Sequence, residues 1–105
     1  MIDANSGSVI DETEAIVYTH AYQDQFPDAT KAFFAGKNKL NLILDQEGCI
    51  GIRIYDGFDM ETNSTNRVLV GVDATGEDMV SGTLLEQLIP CPKACSLTTS
   101  LIKSI

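Results

Sequence analysis

Apolar positions along this chain change their spacing once, near Cys49, which divides it into a helical part and a strand part. Before that point, Ala15, Tyr18, Tyr22 and Phe26 recur at steps of three and four, one stripe along a helix. Asp11 is placed to cap this helix, with Glu14 three residues on in the capping-box position, and Pro27 stops it. Asp28 then caps a short helical turn that carries Ala29, Ala32 and Phe33 and closes at Gly36. A third helix starts at Asn38 and sets Leu40, Ile43 and Leu44 on one face before Gly48 ends it.

Beyond Cys49 the period drops to two. Ile50, Ile52 and Ile54 alternate with Gly51, Arg53 and Tyr55, predicting a half-buried strand over about 49–56. An acidic, Asn-rich loop runs from Asp56 to Asn66, and Val68, Val70 and Val72 then repeat the alternation over about 67–73. The two strands are expected to form an antiparallel hairpin with its isoleucine–valine face against the helices. Keeping both apolar sets on one face allows a register with Ile52 opposite Val70 and Gly51 opposite Gly71. The stretch 83–89 fits a helix face by its leucines, and a third, edge strand by its length and its stop at Pro90. Residues 1–9 read as a flexible lead-in. Residues 96–105, with Leu97, Leu101 and Ile105 four apart, read as a tail or a short helix. The expected architecture is α+β: two or three N-terminal helices packed on a small antiparallel sheet, in a single domain spanning 1–105.

Composition narrows the partners. A chain of 105 residues, 44% apolar and 21% charged, can bury one core and does not read as disordered. Its formal net charge of −8 repels phosphate backbones and anionic headgroups, so neither nucleic acid nor a membrane is expected as a partner. A protein partner or a second copy of the chain is expected instead, and nothing identifies a small-molecule ligand. The first residues have no basic flank or apolar run of a secretory leader, and no apolar stretch is long enough to span a bilayer. A cytoplasmic setting is therefore expected, in which Cys49, Cys91 and Cys95 would stay reduced.

Candidate chemistry is sparse. In Pro90-Cys91-Pro92-Lys93-Ala94-Cys95 two prolines stiffen the backbone around two nearby sulfurs. Such a pair can close as a small disulfide, supply a reactive thiol at Cys91, contribute to a metal site, or simply pack. Zinc needs four ligands, and beyond Cys91 and Cys95 only Cys49 and His20 remain as soft candidates. His20 lies off the helical stripe beside Asp24 and reads as a solvated surface residue. Asp56, Asp59 and Glu61 in one loop, and Asp73, Glu77 and Asp78 in the next, read as turn residues; the second set departs from a regular calcium loop. With one histidine, no phosphate-binding glycine loop and no complete catalytic set, the sequence leans away from an enzyme, a small one using the loop carboxylates being a third reading, and no cofactor is expected, zinc at the cysteines being the exception. In the expected register, Gly51 and Gly71 leave a bare notch on the sheet face away from the helices, flanked by Arg53, Tyr55 and Leu69. The chain's own C-terminal segment could fill it. So could a partner, whose carboxylate Arg53 would pair while Tyr55 supplies a flat contact.

The run Gln46-Glu47-Gly48-Cys49-Ile50-Gly51-Ile52-Arg53-Ile54-Tyr55, with Val70-Gly71-Val72-Asp73-Ala74-Thr75-Gly76 and the Pro90–Cys95 segment, is similar to a group of small bacterial proteins of unassigned function. The similarity extends from about Glu14 onward. It implies helices first, a "GIRIY" strand, a second strand and a cysteine-bearing C-terminal segment, with a strand rather than a helix before Pro90. It implies no activity. The expected function is that of a non-catalytic binding or accessory module acting through Arg53, Tyr55, Gly51, Gly71 and the apolar tail. A thiol-redox or metal-binding role centred on Cys91 and Cys95, with Cys49 as a third sulfur, is the alternative.

Overall fold

Helices α1 (Glu12–Gln25) and α2 (Lys37–Leu44) are joined to antiparallel sheets in this computed structural model, which describes residues 1–103. The strands are β1 (Ala32–Phe34), β2 (Cys49–Asp59), β3 (Ser64–Asp73), β4 (Leu84–Leu85) and β5 (Ile89–Cys91). One sheet has the order β2-β3-β4 and the other pairs β1 with β5, so the fold is α+β as expected. The chain divides into two compact units, each assembled from separate segments: Met1–Ser6 with Phe34–Ile89, and Gly7–Phe33 with the residues from Pro90 onward.

In the first unit, α2 lies across β2 and β3 and buries Ile43 completely. A Cβ added at Gly71 would stand 3.3 Å from Ile43 Cγ2, so Gly71 faces the helix and its missing side chain admits it. Gln46, just past α2, ties the helix to the strand end of the unit. Its Nε2 donates to Ile43 O at 2.9 Å and its Oε1 accepts from Thr83 N at 2.8 Å. Gly36 stands at the N-cap of α2, which begins at Lys37, one residue before the expected Asn38.

The hairpin is longer than its sequence suggests. Most of the acidic Asp56–Asn66 segment is strand, and only Met60–Asn63 turns. The register also differs from the expected one by a single residue. Ile52 pairs with Gly71, Arg53 with Val70 and Gly51 with Val72, after a bulge between Cys49 and Gly51. The bulge adds one residue to β2 and shifts every later pair. The expected pairing assumed that β3 hides only one face. Instead Leu69, Val70 and Val72 are all buried, so the valines and Leu69 lie under cover on opposite sides. Stretch 83–89 is strand rather than helix, but in two pieces: β4 pairs Leu84 with Val70 and Leu85 with Leu69, and β5 begins at Ile89.

In the second unit, α1 starts at Asp11, whose carboxylate accepts from Glu14 N at 2.8 Å, and ends at Phe26 before Pro27. Its expected stripe is not its inner face: Tyr18, Tyr22 and Phe26 are exposed, and Gln23 is buried. That face docks through hydrogen bonds to backbone. Gln23 Nε2 donates to Leu101 O at 3.0 Å and Gln23 Oε1 accepts from Lys103 N at 2.8 Å. The helical turn expected over Ala29–Phe33 is replaced by β1, and Lys31 N donates to Cys91 O at 2.7 Å beside it. No helix forms in residues 96–103; Ile105, the last position of the expected stripe, lies outside the described residues. No helix among the described residues is long and apolar enough to cross a membrane.

Candidate functional site on the outer sheet face

Odd-numbered residues of β2 and even-numbered residues of β3 share the sheet face turned away from α2, which brings Gly51, Arg53, Tyr55, Val70 and Val72 together. After β3 the chain reverses in a tight turn. Asp73 Oδ1 accepts from Thr75 N at 2.9 Å, Thr75 Oγ1 at 2.6 Å and Glu77 N at 3.1 Å. Gly76 follows at φ +89°, a conformation that costs a side-chain-bearing residue about 1–2 kcal/mol. The turn sends Asp78 back to bridge Val72 from the far side of β3.

Asp78 thus meets β2's side chains across the sheet. Arg53 Nη1 donates to one carboxylate oxygen, the Tyr55 hydroxyl donates to the other, and Arg53 also reaches Gly76 O at 3.3 Å. The Tyr55 hydroxyl, ahead of Arg53, holds the Asp78 carboxyl below its ordinary pKa, and Asp78 in turn pushes the Tyr55 phenol up. The Asp73 carboxyl is held low as well, first by the Thr75 hydroxyl and then by the turn's amides. A carboxylate with both oxygens occupied and a lowered pKa is a weak base at neutral pH, and a phenol with a raised pKa is a weak nucleophile. The cluster holds structure together. The carboxylate that a partner was expected to bring to Arg53 is supplied by the chain itself.

Beside this clamp a cleft of about 370 Å³ opens between β2 and the first residues. Ile2, Asp3, Ala4 and Ser6 line one side; Ile50, Gly51, Ile52, Arg53, Ile54 and Val72 line the rest. The first residues, read as a flexible lead-in, close a turn here. Asp3 N donates to Ser6 Oγ at 2.9 Å and Ser6 N to Asp3 O at 3.1 Å. Gly51 has nothing within 4 Å of where a Cβ would stand. Gly71, expected beside it, faces α2 instead, so the bare spot belongs to Gly51 alone and the N-terminal turn is the chain segment next to it. No protein family, curated protein or solved structure matches this chain. Its own geometry is the basis for a functional reading.

The cysteines fall in different places. Cys91 and Cys95 are joined in a disulfide in the second unit, Cα atoms 4.8 Å apart, with Cys91 buried. Cys49, in the first unit, is half-buried and free, its thiol donating to Gly51 O at 3.2 Å. His20 is half-buried rather than solvated, with Nε2 3.0 Å from Ser100 O. Among the described residues no group of three or more His, Cys, Asp or Glu side chains is arranged to hold a metal ion.

Further along the hairpin, Ile54, Phe58 and Met60 are 63%, 52% and 84% exposed. Sequence reasoning passed over the last two because they sit among acidic residues, yet their apolarity inside a polar segment was the available signal. Asp78 was read as a turn residue, and its meeting with Arg53 depends on a reversal that no periodicity records.

Proposed function

We propose that this chain is a non-catalytic binding module that recognises a protein partner through its β2–β3 hairpin. One observation carries the reading: Ile54 and Phe58, four residues apart on one face of β2, stand exposed with Met60 at the tip and Tyr55 on the reverse face. Single exposed apolar residues are ordinary, but a cluster on one ribbon is characteristic of contact surfaces. The Arg53–Asp78–Tyr55 clamp supports the same reading, because a base held rigid loses little freedom when a partner docks. The full-length chain and its Phe58→Ser/Met60→Ser double variant, used as baits in parallel, test it. The expected result is a stoichiometric partner held by the native chain and lost by the variant, with equal melting temperatures. A partner held equally by both removes the hairpin from the reading.

The closed Cys91–Cys95 pair supports a second reading, a thiol–disulfide role in which the half-buried Cys95 sulfur is the accessible one. Trapping thiols at lysis with an alkylating reagent distinguishes the two settings. Three labelled cysteines accord with a reducing, cytoplasmic location; one labelled cysteine, Cys49, places the protein where disulfides persist.

A further inference from the structure

The cleft beside β2 is lined by five consecutive residues, Ile50 to Ile54. Neighbouring side chains on a strand point to opposite faces, so a cavity that touches five in a row, together with Val72 opposite Gly51, reaches from the outer face round the strand's free edge. β2 is the outermost strand of its sheet, with β3 on one side and no strand on the other among the described residues. The N–H and C=O groups that β2 does not give to β3, those of alternate residues, point outward along this edge, which spans about 13 Å over Ile50–Ile54 at about 3.3 Å per residue. Gly51 leaves the floor bare, and the N-terminal turn forms the facing wall.

Charge decides what fits. Arg53 and Arg67, the cations of this hairpin, are engaged by Asp78 and Asp56. Asp3 lines the cleft, Asp59 ends β2 and Glu61 follows it in the turn, in a chain of net charge −8. A second copy would bring the same acidic residues; a basic extended segment would bring their complement.

We propose that the β2 edge accepts an extended segment of a partner protein, alternating apolar and basic residues, as an added antiparallel or parallel strand. This deepens the hairpin-binding reading and rests on it. Main-chain hydrogen bonds to β2 hold the segment, its apolar side chains meet Ile54, and its basic ones meet Asp3, Asp59 and Glu61.

The test is titration of the full-length chain with a decapeptide of alternating valine and lysine, followed by backbone amide NMR and calorimetry. A valine–glutamate peptide and a valine–lysine peptide N-methylated at alternate amides serve as the controls. The expected result is shifted resonances over Ile50–Tyr55, affinity that falls with salt, no binding of the glutamate peptide, and binding weakened by about tenfold or more on N-methylation. Unshifted β2 resonances, or equal affinity for the methylated peptide, overturns strand addition. Concentration-dependent dimerisation that shifts the same resonances overturns it in favour of a second copy. If the edge stays silent while the Phe58/Met60 variant still loses its partner, strand addition fails and hairpin binding stands. If both fail, the reading of the hairpin falls with them.

Discussion

At the scale of single residues, Asp78 and Gly71 decide how the outer and inner sheet faces are built. The folded Asp78 carboxyl has a lowered pKa, so its ionised form is the one the fold favours. Its contribution is present above the ordinary carboxylate pKa and is lost as pH falls through the lowered folded value. Tyr55 runs the other way. Its raised pKa favours the protonated phenol, and that contribution is complete below 10.0 and is lost as pH rises through the folded value. Stability measured against pH should therefore fall at both extremes, and Asp78→Asn, which removes the carboxylate, should flatten the acid limb. Gly71→Ala tests the inner face. The added methyl meets Ile43, wholly buried, and the half-buried Cys49 sulfur at 3.1 Å, and should cost about 1–3 kcal/mol in chemical denaturation. Gly51→Ala, with open space around it, should leave stability within about 0.5 kcal/mol.

At the scale of elements, local signals were legible where they act locally. Asp11 caps α1 and Phe26–Pro27 ends it, because a carboxylate near free amides and a ring without an N–H act within one turn of chain. The hairpin was legible from its period, but its register was not. A bulge at Ile50 leaves no mark in an alternating pattern, and the continuous apolar run Val68–Val72 indicates a strand covered on both faces rather than one. β1 replaced an expected helical turn because Ala32, Phe33 and Phe34 find a strand partner in β5, fifty and more residues away, and pairing outweighs weak helical preference. The candidate site was half legible: Arg53, Tyr55 and Gly51 do share a face, while Gly71 and Asp78 were placed wrongly for want of the register and the turn. The disulfide is an element-scale staple. Closing so short a loop stabilises by about 2 kcal/mol on the chain-entropy model, so a reductant should lower the melting temperature by several degrees and Cys91→Ser/Cys95→Ser should reproduce the loss without reductant.

At the scale of the whole molecule, each compact unit draws its residues from distant parts of the chain. Helix α1 is tied to the C-terminal segment by polar side chains: His20 and Gln23 hold the backbone of Ser100, Leu101 and Lys103. Removing residues from Thr98 onward should therefore lower helix content measured by circular dichroism, and the hairpin's amide resonances should stay where they are. Protein synthesis gives this arrangement a further meaning. The segment that forms α1 leaves the ribosome before the residues that satisfy its buried Gln23, one of which lies 80 positions further on. During translation that helix must wait, its inner face open to water or to a chaperone, until Leu101 and Lys103 have emerged. The hairpin needs only residues up to Ile89 and Met1–Ser6, so it can close first, and the order of folding runs opposite to the order of the helices in the sequence.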